Sequence, residues 1–221
     1  MIRTFALLSL ACLFVFGTAG DLRGAVLTFN DLIIGQVSYG FDADGDGVDD
    51  VLFTTLDPQG FNTFGPGVNQ NFINEPGLEG TSLLNPDLRV DFLKSAVTSI
   101  AFSFALNSFS ESEEFFASLQ LFDSQGAELG FGSLLGEFTT TPQGTSDYPE
   151  GRLTVDFAGV AAYGLFNFES EFGRYIIDDV EGTFGSLERV PEPGTMALAA
   201  LGVFAVLARV RRSAGRRPVN E

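Results

Sequence analysis

Histidine and tryptophan are absent from all 221 residues, and cysteine occurs once, as Cys12. The missing imidazole removes Ser-His-Asp and Cys-His catalysis, His-ligated zinc and the usual acid-base chemistry near neutral pH. Because the one thiol sits in an N-terminal apolar run, the body of the chain is expected to fold without a disulfide or a thiolate-bound metal. Positive charge is scarce there as well. From Asp21 to Val190 there are 27 acidic side chains and 6 basic ones, a net of −21. Such a surface repels the nucleic-acid backbone and anionic lipid, so no nucleic-acid partner is expected. What is plentiful is phenylalanine, 24 residues, and glycine, 26. That much aromatic surface can build a core, so the acidity does not imply disorder.

The two ends differ from the body. Met1 to Gly20 carries a single cation, Arg3, then an uncharged stretch from Phe5 to Phe16, then Gly17-Thr18-Ala19-Gly20 before Asp21. Residues 1–20 therefore read as a secretory signal peptide, delivered to the Sec translocon and cut by signal peptidase after Ala19 or Gly20. Cys12 follows small residues as in a lipoprotein signal, but most of the apolar run would lie beyond such a cut. It is read as filling an apolar helix.

Near the C-terminus, Pro193 to Ala208 is free of charge. As a helix these residues reach roughly 24 Å, short of a hydrocarbon layer of about 30 Å, with arginine stems able to make up the difference. A transmembrane helix is expected over about 195–210. Arg209, Arg211, Arg212, Arg216 and Arg217 follow within 209–217. Cationic flanks stay cytoplasmic, which leaves everything before Pro193 outside.

Val190-Pro191-Glu192-Pro193-Gly194-Thr195, followed by a short apolar helix and an arginine cluster, closely resembles the PEP-CTERM sorting signal of Gram-negative bacteria. The resemblance implies processing by exosortase, a membrane cysteine transpeptidase, close to the Pro191-Glu192-Pro193 motif. It also implies an exported protein that passes from the inner membrane to the cell surface or extracellular matrix, in the setting of exopolysaccharide and biofilm. The residues suit that route. Prolines keep the segment extended and accessible, while helix and arginines hold it at the membrane. The chain is thus divided into a signal peptide (1–20), an exported domain (21–187) and a sorting signal (188–221).

Within the exported domain, Gly, Pro, Asn and Asp interrupt the chain at short intervals. Ile100, Phe102, Phe104 and Leu106 alternate with small residues, as do Leu153, Val155 and Phe157 with Thr154 and Asp156. Period-two patterns of this kind are half-buried strands. Further strands are expected at 26–29, 36–41, 51–55, 88–93, 118–122, 163–168 and 175–180, with a brief helical turn at Glu111 to Phe116. Nine short strands predict an all-β, antiparallel β-sandwich, jelly-roll-like in its connections, with an immunoglobulin-like arrangement as the alternative.

One motif has metal chemistry. Asp42-Ala43-Asp44-Gly45-Asp46-Gly47-Val48-Asp49-Asp50 packs five carboxylates into nine residues. Close carboxylates repel by about 1 kcal/mol a pair even in water, which asks for a cation. Calcium takes six to eight oxygens, and the glycines allow the turn that aims Asp42, Asp44 and Asp46 inward, with the Val48 carbonyl and Asp50 adding donors. The position where an EF-hand has its last Glu is Phe53, and the flanks read as strands, so the loop resembles those of FG-GAP or thrombospondin type 3 repeats. The expected cofactor is structural Ca2+, bound at a Kd of about 10⁻⁴ to 10⁻³ M as in extracellular modules. Asp178 and Asp179, with Asn30 and Asp31, faintly resemble the terminal calcium site of jelly-roll carbohydrate-binding modules, but the favoured reading is of ordinary solvent-facing aspartates.

These features predict a non-catalytic, calcium-stabilised surface or matrix protein. The alternative is a glycan-binding module of the same fold, with Asn71 and Phe72 as loop contacts. It is disfavoured by the absent tryptophan and only four tyrosines, since sugar platforms use flat rings with a polar edge. A glycosidase or lyase would need two carboxylates, for which Glu113, Glu114, Glu137 and Glu150 are available. In so acidic a chain, availability is weak ground.

Overall fold

The computed structural model describes residues 23–67, 70–108, 114–139 and 148–184. The expected signal peptide, the sorting segment with Val190 to Thr195 and its arginines, and Glu111 to Glu113 of the expected helical turn lie outside them. The described residues form eleven strands and no helix. The strands are β1 (Arg23–Leu27), β2 (Ser38–Phe41), β3 (Val51–Thr54), β4 (Asn62–Phe64), β5 (Gly77–Thr81), β6 (Leu88–Leu106), β7 (Phe116–Phe122), β8 (Glu128–Leu135), β9 (Glu150–Asp156), β10 (Ala161–Phe168) and β11 (Arg174–Phe184). All their pairings are antiparallel.

β6 organises the sandwich. Two strands, 88–93 and 100–106, are expected from the sequence, but one strand of 19 residues runs through both. Ser95 and Thr98 both adopt φ 72°. At such bulges a strand is re-aimed and twisted without ending. Its first half pairs with β3 and β10, its second with β9 and β11. One layer is therefore β2-β3-β6-β10-β7-β8, and the other β4-β5-β11-β6-β9, with β1 beside the later half of β11.

Phenylalanine joins the layers. Phe102 of β6 meets Phe166 at 4.9 Å and Phe168 at 6.3 Å on β10, between ring centroids, and Phe168 stacks on Tyr175 of β11 at 4.0 Å. Phe29, Tyr39 and Phe53 form a second knot of rings. Tilted and edge-on pairs of this kind add to the burial that drives the fold.

Three strands go beyond the nine expected: β4, β5 and β8. In β5, Gly77-Leu78-Glu79-Gly80 is buried throughout, so no alternation marks it. A Cβ on Gly80 would collide with the Tyr175 ring, and one on Gly77 with the backbone of Ile177. These glycines permit close approach of strands. In β8, Gly132 serves the same end against Val155 of β9.

Buried carboxylates hold the loops. Asp87 accepts the N–H groups of Phe168 (2.7 Å) and Leu84 (3.2 Å), and Glu150 those of Asn71 (2.7 Å) and Phe72 (2.9 Å). Asp178 takes Asn74 and Glu75 N–H, while Glu79 pairs with Arg174 at 2.8 Å. A hydrogen bond to a charged group contributes about 1.5–3 kcal/mol. This is how acidic residues come to lie inside a strongly acidic protein.

Candidate functional site

The acidic loop connects β2 to β3, so the strand flanks expected on either side of it are present. Asp50 N–H donates to Phe41 O at 2.8 Å, closing the hairpin beneath the loop, and Asp50 O accepts from Leu93 N–H at 2.8 Å. The Asp50 side chain is only 1% exposed, and its Oδ2 accepts the N–H groups of Ala43 (2.7 Å) and Asp44 (3.2 Å). Asp42 accepts from Gly45 (2.7 Å), Asp46 (3.2 Å) and Gly47 (2.7 Å). Gly45 and Gly47, at φ 77° and 86°, supply the left-handed turns that aim these N–H groups inward.

Carboxylate oxygens of Asp42, Asp44 and Asp50 lie within 4.8 Å of one another. Of the other expected ligands, Asp46 turns to Lys94, and Val48 N–H donates to Asp46 Oδ1 at 2.8 Å. Asp49 lies over Gly40. The residue that sequence reasoning missed is Lys94, the only lysine in the chain. Its Nζ lies 2.8 Å from Asp46 Oδ2, 3.0 Å from Asp50 Oδ1 and 3.2 Å from Asp44 Oδ2. A lone lysine in so acidic a chain is a signal, but nothing in the pattern tells which carboxylates it meets.

Hydrogen bonds and charge shift the loop's ionisation. The Gly47 N–H above all, with those of Gly45 and Asp46, holds Asp42 below the ordinary aspartate range. Lys94 does so for Asp46, and Asp46 in turn leads the carboxylates that raise Lys94 above the ordinary lysine value. Asp87 and Asp178 go the other way, raised by burial.

The folded loop therefore binds its Asp42 proton less readily than the unfolded chain does. Its contribution is complete above the ordinary aspartate value and is lost as pH falls through the depressed folded one. In urea unfolding with chelator present, the stability gap between wild type and Asp42→Asn is expected to stay constant from pH 7 to about 5 and to narrow toward pH 2. A gap that widened on acidification would contradict this electrostatic arrangement.

The fainter site is differently arranged. Asp178 is buried and engaged by backbone N–H groups, and Asn74 Nδ2 donates to Asp179 at 3.2 Å. Asn30 reaches Glu75, while Asp31 accepts the Tyr39 hydroxyl at 2.5 Å. Asn30 and Asp31 are thus committed to neighbours other than Asp178 and Asp179. Glu150, one of the carboxylates considered for catalysis, is spent on Asn71, Phe72 and the Thr139 hydroxyl. Asn71 and Phe72 are held there by their own backbone. On the outer face of β1, β11, β6 and β9 lies an open groove of about 440 Å³, floored by small residues such as Ala101 and Thr154 and edged by the Arg152–Glu181 pair (2.7 Å). Among the described residues it offers no aromatic ring.

The acidic loop lies at the end of the sandwich where β11 finishes. Phe184, the last residue of β11, stacks on Phe92 at 5.9 Å and pairs with Ala96, two residues after Lys94. From Phe184 the sequence runs on toward Val190-Pro191-Glu192-Pro193, and residues 189–212 match the family model of the PEP-CTERM protein-sorting motif. The chain carries a PEP-CTERM sorting signal. Such a signal implies processing by exosortase and an exported protein, anchored through its C-terminal segment and sorted to the cell surface. Among the described residues no helix is long and apolar enough to cross a membrane, and the helix expected at 195–210 lies outside them.

No curated protein matches this chain. Solved structures similar to it include the K3 cleaved adhesin domain of Lys-gingipain from Porphyromonas gingivalis W83, at 18% identity and a TM-score of 0.42, covering 72% of this chain and 97% of that one. The CBM27-1 module of Caldicellulosiruptor saccharolyticus, in complex with mannohexaose, is 18% identical with a TM-score of 0.39, covering 76% and 100%. The CBM22-1 xylan-binding domain of Paenibacillus barcinonensis Xyn10C is 12% identical with a TM-score of 0.34, covering 76% and 97%.

Proposed function

We propose that this chain is a non-catalytic surface or matrix protein, exported through the Sec translocon, released by exosortase near Pro191-Glu192-Pro193, and stabilised by calcium in the 42–50 loop. Its setting is the exopolysaccharide of a biofilm. The observation that carries the reading is the sorting motif at 189–212. The calcium part is supported by the donor set: Asp42, Asp44 and Asp50 offer converging hard oxygens, with Asp46 and the Val48 carbonyl beside them in sequence. Calcium there would supply charge neutralisation alone, stiffening the end of the sandwich next to Phe184. The non-catalytic part is supported by how the buried carboxylates are employed, as acceptors for loop N–H groups.

The test is made in the native host. Deleting Pro191-Glu192-Pro193 is expected to leave the whole population at its unprocessed mass and in the membrane fraction, while wild type reaches the surface at a lower mass. Normal processing of the deletion would refute the route. Incubation of the purified protein with the host's exopolysaccharide is expected to release no reducing ends.

A further inference from the structure

The chain's single lysine is placed in the middle of its densest cluster of carboxylates, 44 residues after the last of them in sequence. We propose that Lys94 is the loop's tethered cation, an ammonium that holds the carboxylates together in the absence of metal and that calcium displaces when it binds. This deepens the calcium reading and rests on it.

The geometry carries the inference. Asp44 and Asp50 are two of the three carboxylates whose oxygens converge within 4.8 Å, and they are also two of the three that the Lys94 ammonium holds. A calcium ion bridging Asp42, Asp44 and Asp50 has to take oxygens that the ammonium occupies. A divalent ion and an ammonium on the same oxygens repel strongly at that range. The two occupants therefore exchange.

Asp50 makes the exchange obligatory. Its Oδ1 belongs to a side chain only 1% exposed, and the partner it has is the Lys94 ammonium at 3.0 Å. A buried carboxylate oxygen stripped of its cation is strongly destabilising. When Lys94 leaves, another cation has to arrive, and the one that suits an all-oxygen donor set of this size is calcium. Lys94 thereby sets the threshold for the metal. The loop stays closed in calcium-poor surroundings and accepts calcium only where the ion is abundant enough to displace a covalently tethered competitor.

Two measurements on the full chain in detergent micelles test this. The first is amine acetylation of wild type by an N-hydroxysuccinimide ester, read by peptide mass so that Lys94 is distinguished from the terminal amine. Lys94 is expected to react slowly in chelator and several-fold faster in millimolar calcium, with sodium chloride matching the ionic strength. The second is calcium titration by calorimetry of wild type and Lys94→Gln. Removing the competitor is expected to tighten calcium binding about tenfold or more, a gain of ~1.4 kcal/mol or above. Lys94→Gln is also expected to melt lower than wild type in chelator and to recover with calcium. If both proteins bind calcium equally well, or if Lys94 acetylates at one rate with calcium bound and without, the exchange is overturned and the calcium site stands. If neither protein binds calcium, both the exchange and the calcium reading are overturned. The acetylation arm needs no variant, so it decides the matter even if Lys94→Gln cannot fold.

Discussion

Phe102→Ala is expected to lower the unfolding free energy by about 3–5 kcal/mol, the range for removing a fully buried aromatic ring from a packed core. Phe102 is 0% exposed and touches Phe104 of its own strand and Phe166 and Phe168 of the facing layer. The ring therefore spans the space between the sheets, and its loss leaves a cavity that β6 and β10 cannot close without slipping their pairing. Against a net stability of about 5–15 kcal/mol for a typical domain, the change removes a large share. Phe102→Leu, which keeps most of the volume, is expected to cost under about 1.5 kcal/mol. Urea unfolding of the full chain measures both. A value below about 1.5 kcal/mol for the alanine variant would show that this ring does not join the two layers.

Asp50→Ala is expected to cost about 2–3 kcal/mol, through a different mechanism. The substitution strips the Ala43 and Asp44 N–H groups of their acceptor and removes one carboxylate from Lys94. Unmade hydrogen bonds of partly buried donors cost about 1–3 kcal/mol, and breaking a buried charge pair on one side adds to that. Lys94 keeps Asp44 and Asp46, which tempers the second contribution. Asp50→Asn retains an acceptor for the two N–H groups and is expected to lose about half as much. The comparison is made by urea unfolding in chelator, so that calcium does not enter. A cost below about 1 kcal/mol for the alanine variant would mean that Asp50 does not hold the hairpin and loop together.

Much of the fold was legible because strands announce themselves by alternation. Leu153 and Val155 lie in β9, which ends one residue short of Phe157 of the same pattern, and Tyr163 to Phe168 lies in β10. The pattern failed where burial was two-sided or where glycine replaced a side chain. β5 carries Glu79 inside, matched by Arg174, and its glycines admit Tyr175 and the Ile177 backbone. No periodicity survives those substitutions. Nor could alternation reveal that 88–93 and 100–106 are one strand, because bulges at Ser95 and Thr98 interrupt the period without breaking the chain. Of the loop, the sequence showed the five aspartates and the glycine turns but missed the lysine among them.

The sequence by itself determined that this chain carries a C-terminal sorting signal, that its body is antiparallel β, and that a dense acidic loop joins two of its strands. These features are local: a run of residues, a period of two, a turn between glycines, each decided by neighbours in the chain. Tertiary structure alone decided which charges meet. Lys94 reaches Asp44 across 50 positions, Glu150 reaches Asn71 across 79, and Asp178 reaches Asn74 across 104. Charge acts through space over a few ångströms, and in a sandwich whose central strand serves both layers, proximity in space follows the strand order. Position along the chain does not fix it.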